Sequence, residues 1–317
     1  RLSDSDDRRS EGESVPSGSV GIPEPEVDRD QSDPILLPLQ LPLVRENRSV
    51  SRAGMHFQPQ QVLLAMEKAY PNRVSEVAYK NEDWCILVYD TWFYWANGRL
   101  LPEHLRKDWK EYDAYPFYSY QKGLPPIPEL SDDEKRRLRD RLEKREADPT
   151  YRHPGFYNTL WRADDKDSSW RRVKTIYFLG RKTEIHRELL EDLARVEEEI
   201  QKKMEENEEL RVFVKNIADL EGYNWRRIAG TDSLSLHSYG AAIDILPRSY
   251  HRKQAYWRWA KVNFPEWYSL PYSQRFTPPV LFIEAFENHG FVWGGKWFYF
   301  DSIHFEYRPE ILILNGL

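Results

Sequence analysis

The chain has 317 residues, enough for one large domain or a domain with a smaller companion. Its formal net charge of −6 leaves no face-sized basic patch, which excludes a general nucleic-acid binder. Nothing approaches the roughly eighteen consecutive apolar residues a membrane-crossing helix needs; the longest apolar stretch, Ile35 to Val44, is broken by Pro38 and Pro42.

The chain opens on Arg1 rather than Met, as expected after removal of a signal peptide or trimming of the start. Residues 1–55 are rich in Ser, Asp, Arg, Pro and Glu and poor in large apolar groups. Such a stretch cannot bury enough surface to offset its ordering entropy, so it is expected to be a disordered tail or tether. A unit spanning 56–128 follows. Phe57 to Ala69 has helical spacing, with Val62, Leu63, Met66 and Ala69 on one stripe. Trp84–Tyr89 and Thr91–Trp95 alternate as a hairpin, and Asn97-Gly98 signals a turn before Arg99-Leu-Leu101. The single cysteine, Cys85, excludes an internal disulfide and falls inside a strand pattern, so it is expected to be a buried core thiol. Pro102 to Pro128 has the composition of loops.

The main domain is expected over residues 129–317. Ser131-Asp-Asp-Glu134 is a helix start, with Ser131 as cap and Glu134 placed to reach back. Val173–Leu179 is predicted as a strand ended by Gly180. A long helix is predicted from about Glu184 to Asn207, with Leu189, Leu193, Val196, Ile200 and Met204 facing inward. Pro278 to His289 is a further helix, closed by Gly290. Strands are predicted over Phe291–Trp293 and Trp297–Tyr307, joined at Gly294-Gly295. Helices beside short strands, without repeated strand–helix alternation, imply an α+β fold. The aromatic content of 14% suits a well-filled core or a ring-lined groove; for Trp257, Trp259, Trp267, Trp293 and Trp297, core packing is favoured over stacking on sugars.

Chemistry concentrates near the C-terminus. His237 and Asp244 are seven apart with Gly240 between them, so they belong to different local elements with the glycine supplying the bend. Beyond it, Ala242 and Asp244 share one side of a short strand, while Ile243 and Ile245 point into the core. A carboxylate in so apolar a run is costly unless paired or metal-bound. His304 and Glu306 share a side of a later strand. Asp301, three before His304, shares that site only if the chain turns or bulges near Ser302. Singly, each residue reads as a hydrogen-bonded core group. Jointly, two histidines, a carboxylate and a further acid are the inventory of a catalytic zinc site, with an open position for water and a base for its proton.

Ser235-Leu-His237-Ser-Tyr-Gly240-Ala-Ala242-Ile-Asp244, followed by Asp301-Ser-Ile-His304, resembles the zinc D,D-peptidases of peptidase family M15. The resemblance covers about residues 173–312, with further similarity in Tyr223 to Thr231. Trp293-Gly-Gly-Lys-Trp297 and the Asp at 301 point to its phage-endolysin-like branch. It implies a hedgehog/D,D-peptidase-like fold, a small antiparallel sheet with flanking helices. It also implies Zn2+ held by His237, Asp244 and His304, with Asp301 as general base. Arg226, or the adjacent Arg227, matches the arginine that contacts the substrate's carbonyl or carboxylate. Ser235 and Tyr239 match substrate contacts, with a local loop-capping role open for Ser235. Glu306 is placed to orient a ligand histidine.

The implied activity is hydrolysis of peptidoglycan stem peptides, as a D-Ala-D-Ala carboxypeptidase or, next, an L-Ala-D-Glu endopeptidase. The enzyme is expected to be extracytoplasmic (periplasmic or in the cell envelope) and monomeric. Two rivals compete. Ser119-Tyr-Gln-Lys122 fits the Ser-x-x-Lys of serine D,D-peptidases, but the companion Ser-Asp-Asn and Lys-Thr-Gly elements are missing. The hedgehog signalling domain shares the fold with a zinc site used for binding, so the chain could be a non-catalytic cell-wall or partner-binding module. Asp301 together with Arg226 favours the peptidase, because a purely structural site needs neither.

Overall fold

Helix α1 spans Pro59–Ala69 and opens on a proline, whose fixed φ and missing N–H are tolerated in a first turn. The computed structural model describes residues 57–317; the tail or tether expected over 1–55 lies outside the described residues. The inward face of α1 carries Val62, Leu63 and Met66, all buried. Strands β1 (Val74–Lys80), β2 (Asp83–Val88), β3 (Thr91–Tyr94) and β4 (Leu101–Pro102) pair in that order as an antiparallel sheet. The expected hairpin is β2–β3, with Cys85 fully buried in it. β1 was not expected. Its turn to β2 is Asn81-Glu82, both at positive φ, and without a glycine the usual hairpin signal is missing.

Helix α2 spans Asp132–Ala147 with the expected reciprocal cap: Ser131 N–H donates to Glu134 Oε2 at 2.8 Å, and Glu134 N–H to Ser131 Oγ at 3.4 Å. Helices α3 (Gly155–Trp161) and α4 (Lys166–Trp170) follow. β5 (Val173–Phe178) and β6 (Arg181–His186) then form a separate two-stranded hairpin. The helix expected from Glu184 is corrected here, since α5 covers only Leu190–Met204. Residues 182–185 alternate, with Thr183 and Ile185 buried and Lys182 outward, which is strand periodicity. The Leu189–Leu193 spacing joins that strand to the helical stripe and hides the boundary. Leu193, Val196 and Ile200 are each fully buried along α5. Leu193→Ala should therefore cost about 2–5 kcal/mol of unfolding free energy, read as a lower denaturant midpoint at unchanged slope.

After α6 (Glu208–Lys215) come β7 (Ile217–Glu221), β8 (Ala242–Pro247), α7 (Trp257–Asn263), α8 (Val280–Glu287), β9 (Phe291–Trp293), β10 (His304–Tyr307) and α9 (Pro309–Leu314). The four strands form an antiparallel sheet in the order β7-β8-β10-β9. The strand expected over Trp297–Tyr307 is shorter than predicted. Consecutive Tyr299 and Phe300 are both buried, which breaks strand alternation, and they pack with Trp257 and Trp267 in a cluster of their own. Trp293 and Trp297 are buried in the larger core.

The architecture is thus α+β, with small antiparallel sheets and helices packed around them. Apolar residues from Val62 to Leu312 belong to one cluster, so residues on both sides of position 128 share a core. Segment 115–120, without regular secondary structure, buries four aromatic side chains there: Tyr115, Phe117, Tyr118 and Tyr120. No helix among the described residues is long and apolar enough to cross a membrane.

Candidate metal centre

Ser235 starts the arrangement. Its Oγ accepts the His237 N–H at 3.1 Å, capping a 3-10 turn over Leu236–Tyr239. Gly240 ends the turn at φ +66°, the left-handed bend the sequence placed there. Ser238 Oγ donates to the Arg226 carbonyl at 2.7 Å and accepts the Arg226 N–H at 3.0 Å, tying the preceding loop to the same turn. The chain then enters β8. In the β8–β10 register His304 lies directly opposite Asp244, and Glu306 opposite Ala242.

The result is a convergence of three donor atoms. His237 Nε2 and His304 Nδ1 are 3.2 Å apart, and Asp244 Oδ1 is 3.2 Å from the first and 2.9 Å from the second. All three side chains are at most 2% exposed. The outer ring nitrogens are committed elsewhere: His237 Nδ1–H donates to the Gly222 carbonyl, and His304 Nε2–H to Glu306 Oε2 at 3.2 Å. A carbonyl and a carboxylate can only accept, so they set both tautomers and leave Nε2 of His237 and Nδ1 of His304 as lone pairs. Gly222 in turn packs closely on β6, where a Cβ would lie 2.0 Å from the Glu184 carbonyl oxygen.

Three lone pairs facing one point repel unless a cation lies between them. Tetrahedral zinc with bonds of about 2.0–2.1 Å holds its ligands about 3.3 Å apart, close to the triangle observed. Burial alone would raise the Asp244 carboxyl, yet positive charge beside it, carried by protons on the His237 and His304 imidazoles while no ion is bound, holds it well below the usual carboxylate range, and a divalent cation would take the place of those protons. Glu306 behaves alike: burial pushes it up, while His304 and Arg308 hold it down. Both are anionic, as a ligand and its supporting acceptor must be. Two imidazoles and one carboxylate therefore fit a divalent zinc ion, and no other His/Cys/Asp/Glu group among the described residues converges this way.

The remaining candidates are placed as follows. Asp301 is fully buried just ahead of β10, and a turn at Ser302-Ile303 separates it from His304. The sequence had left open whether such a turn exists. Burial raises the Tyr250 pKa, and the charges of Asp301 and Asp244 raise it further. Arg226, not Arg227, reaches the centre, with Nη2 3.5 Å from Asp244 Oδ2; Arg227 points outward and pairs with Asp232. Ser235 serves as the cap described above and also lines a cavity of about 20 Å³ beside His304 and Glu306. Tyr239 is 1% exposed, its hydroxyl donates to Asn158 Oδ1 at 2.7 Å, and its ring packs by Tyr157 and Trp225. Ser119 and Lys122 of the rival serine motif are both exposed in an irregular segment. Two participants escaped sequence reasoning: the Gly222 carbonyl and Arg308. A backbone acceptor has no sequence signal. Arg308 had one, as the next residue on the face that carries His304 and Glu306.

Residues 229–307 match a family model described as D-alanyl-D-alanine carboxypeptidase, which supports the M15 peptidase resemblance over the span holding the three donors and Asp301. Residues 62–117 match a second family model, described as a domain of unknown function. No curated protein and no solved structure matches the chain.

Proposed function

We propose that the chain is a zinc peptidase hydrolysing peptide bonds of peptidoglycan stem peptides, with the terminal D-Ala-D-Ala bond as first choice and L-Ala-D-Glu as second. The observation that carries this is the buried triangle of His237, Asp244 and His304, lying inside the span that matches a D-alanyl-D-alanine carboxypeptidase family. A hedgehog/D,D-peptidase-like fold, an extracytoplasmic location and a monomeric state go with the reading.

His237, Asp244 and His304 would hold the ion. When bound, zinc supplies a Lewis acid and lowers the pKa of a coordinated water to about 7. Asp301 takes the proton of the attacking water and returns it to the leaving amine. Arg226, fixed beside Asp244, holds that carboxylate in place and presents positive charge toward the carbonyl oxygen as it becomes anionic. Glu306 keeps His304 in the tautomer that turns Nδ1 inward.

The test is mass spectrometry of purified muropeptides digested by the zinc-loaded protein. Loss of a terminal D-Ala establishes the carboxypeptidase, and release of the stem peptide beyond L-Ala establishes the endopeptidase. No cleavage at one equivalent of zinc favours a zinc-containing binding module.

A further inference from the structure

We propose that Arg308 is a positioning residue for the metal centre, through which residues 57–128 take hold of His304. This rests on the metal-site reading above. The contacts form one buried chain. His304 Nε2–H donates to Glu306 Oε2 at 3.2 Å, and Arg308 Nη1 donates to Glu306 Oε1 at 3.3 Å. The Arg308 Nε donates to Glu310 Oε1, whose partner oxygen accepts the Tyr70 hydroxyl at 2.9 Å. Arg308 Nη2 donates to the Pro116 carbonyl at 2.7 Å. The side chains of Glu306, Arg308 and Glu310 are 5%, 1% and 1% exposed.

The geometry follows from the strand. Positions 304, 306 and 308 alternate onto one face of β10 and its extension, so imidazole, carboxylate and guanidinium stack in series. A carboxylate that holds an imidazole by one oxygen can still rotate. It is fixed when its second oxygen is also held, and a guanidinium fork with three separate acceptors supplies a fixed hold. Two of the anchors at the far end, Tyr70 and Pro116, come from the N-terminal unit, within the span 62–117 that matches its own family model. His304 and Glu306 lie within the span 229–307. Arg308 joins the two. A neighbouring contact reinforces the link, since Trp297 Nε1 donates to the Tyr118 hydroxyl at 3.0 Å while the Trp297 ring lies 5.4 Å from that of His304. The N-terminal unit is thus a support of the centre.

The test is a double-mutant cycle on zinc affinity, measured by competition with a chromophoric chelator and paralleled by the ligand-field spectrum of the cobalt-substituted protein. Glu306→Gln should weaken zinc about 10–100-fold. Arg308→Lys should weaken it by a similar factor and alter the cobalt spectrum. In the Glu306→Gln background it should add little, because its effect runs through Glu306. Should Arg308→Lys fail to fold, Tyr70→Phe removes one distal hydroxyl and should weaken zinc about 2–30-fold, the span of mutations along a coupled network. Wild-type zinc affinity in Tyr70→Phe and Arg308→Lys, with only a lowered Tm, would show a purely structural cluster and overturn the proposal. Fully additive losses overturn it too. A wild-type protein that binds no zinc removes the metal-site reading and this proposal together.

Discussion

Replacing His237 by alanine should leave a folded protein that retains no zinc after dialysis and cleaves no muropeptide. The donors number three, and an ion held by two of them has lost a third of its protein bonds in a site that water does not reach freely. The loss in affinity should exceed the roughly 10–100-fold that removing an outer hydrogen-bond partner costs. The variant also leaves the buried Asp244 carboxylate with only His304 and the Arg226 guanidinium beside it. A second, independent readout follows from linkage. Zinc at about 1,000 times its Kd stabilises the wild type by about 4 kcal/mol, and the variant should show none of that gain on zinc addition. Elemental analysis after dialysis and paired thermal melts check both. One equivalent of zinc retained by His237→Ala would mean that the triangle is not the metal site.

The site was more legible in the sequence than the elements around it, for physical reasons. Residues two apart in a strand share a face, so Asp244 with Ala242, and His304 with Glu306, could be assigned to sides without knowing the partner strands. The register then placed Asp244 opposite His304. The turn that brings Asp301 near could be named only as a condition, because Ser302-Ile303 has no Gly or Pro to announce it. β6 was lost to the helix beside it because Leu189 and Leu193 sit at helical spacing right after an alternating strand. The Tyr239 hydroxyl donates to Asn158, a residue from a distant helix that no local pattern indicates. The Gly222 carbonyl behind His237 and the Pro116 carbonyl behind Arg308 are backbone acceptors, and tertiary folding alone brings them there.

Asp301→Asn should keep a full equivalent of zinc and lose about 10²–10⁴ in kcat, equivalent to about 3–5 kcal/mol of barrier. Asparagine has nearly the same shape but cannot accept a proton, so the substitution separates the base from the site that surrounds it. The donor triangle of His237, Asp244 and His304 does not include Asp301, so its geometry should survive. The backbone at 301 is held independently of the side chain: its N–H donates to the Gly294 carbonyl at 3.1 Å, and it pairs with Tyr256. KM should change little, since the missing interaction belongs to the transition state, and kcat/KM should fall with kcat. Near-normal turnover in Asp301→Asn would remove Asp301 from the chemistry and shift the proton's acceptor to another group. Loss of zinc together with rate would instead make Asp301 part of what holds the ion. A protein that never turned over and bound cell-wall fragments equally well with Asp or Asn at 301 would belong to the binding-module class, where this carboxylate has no task.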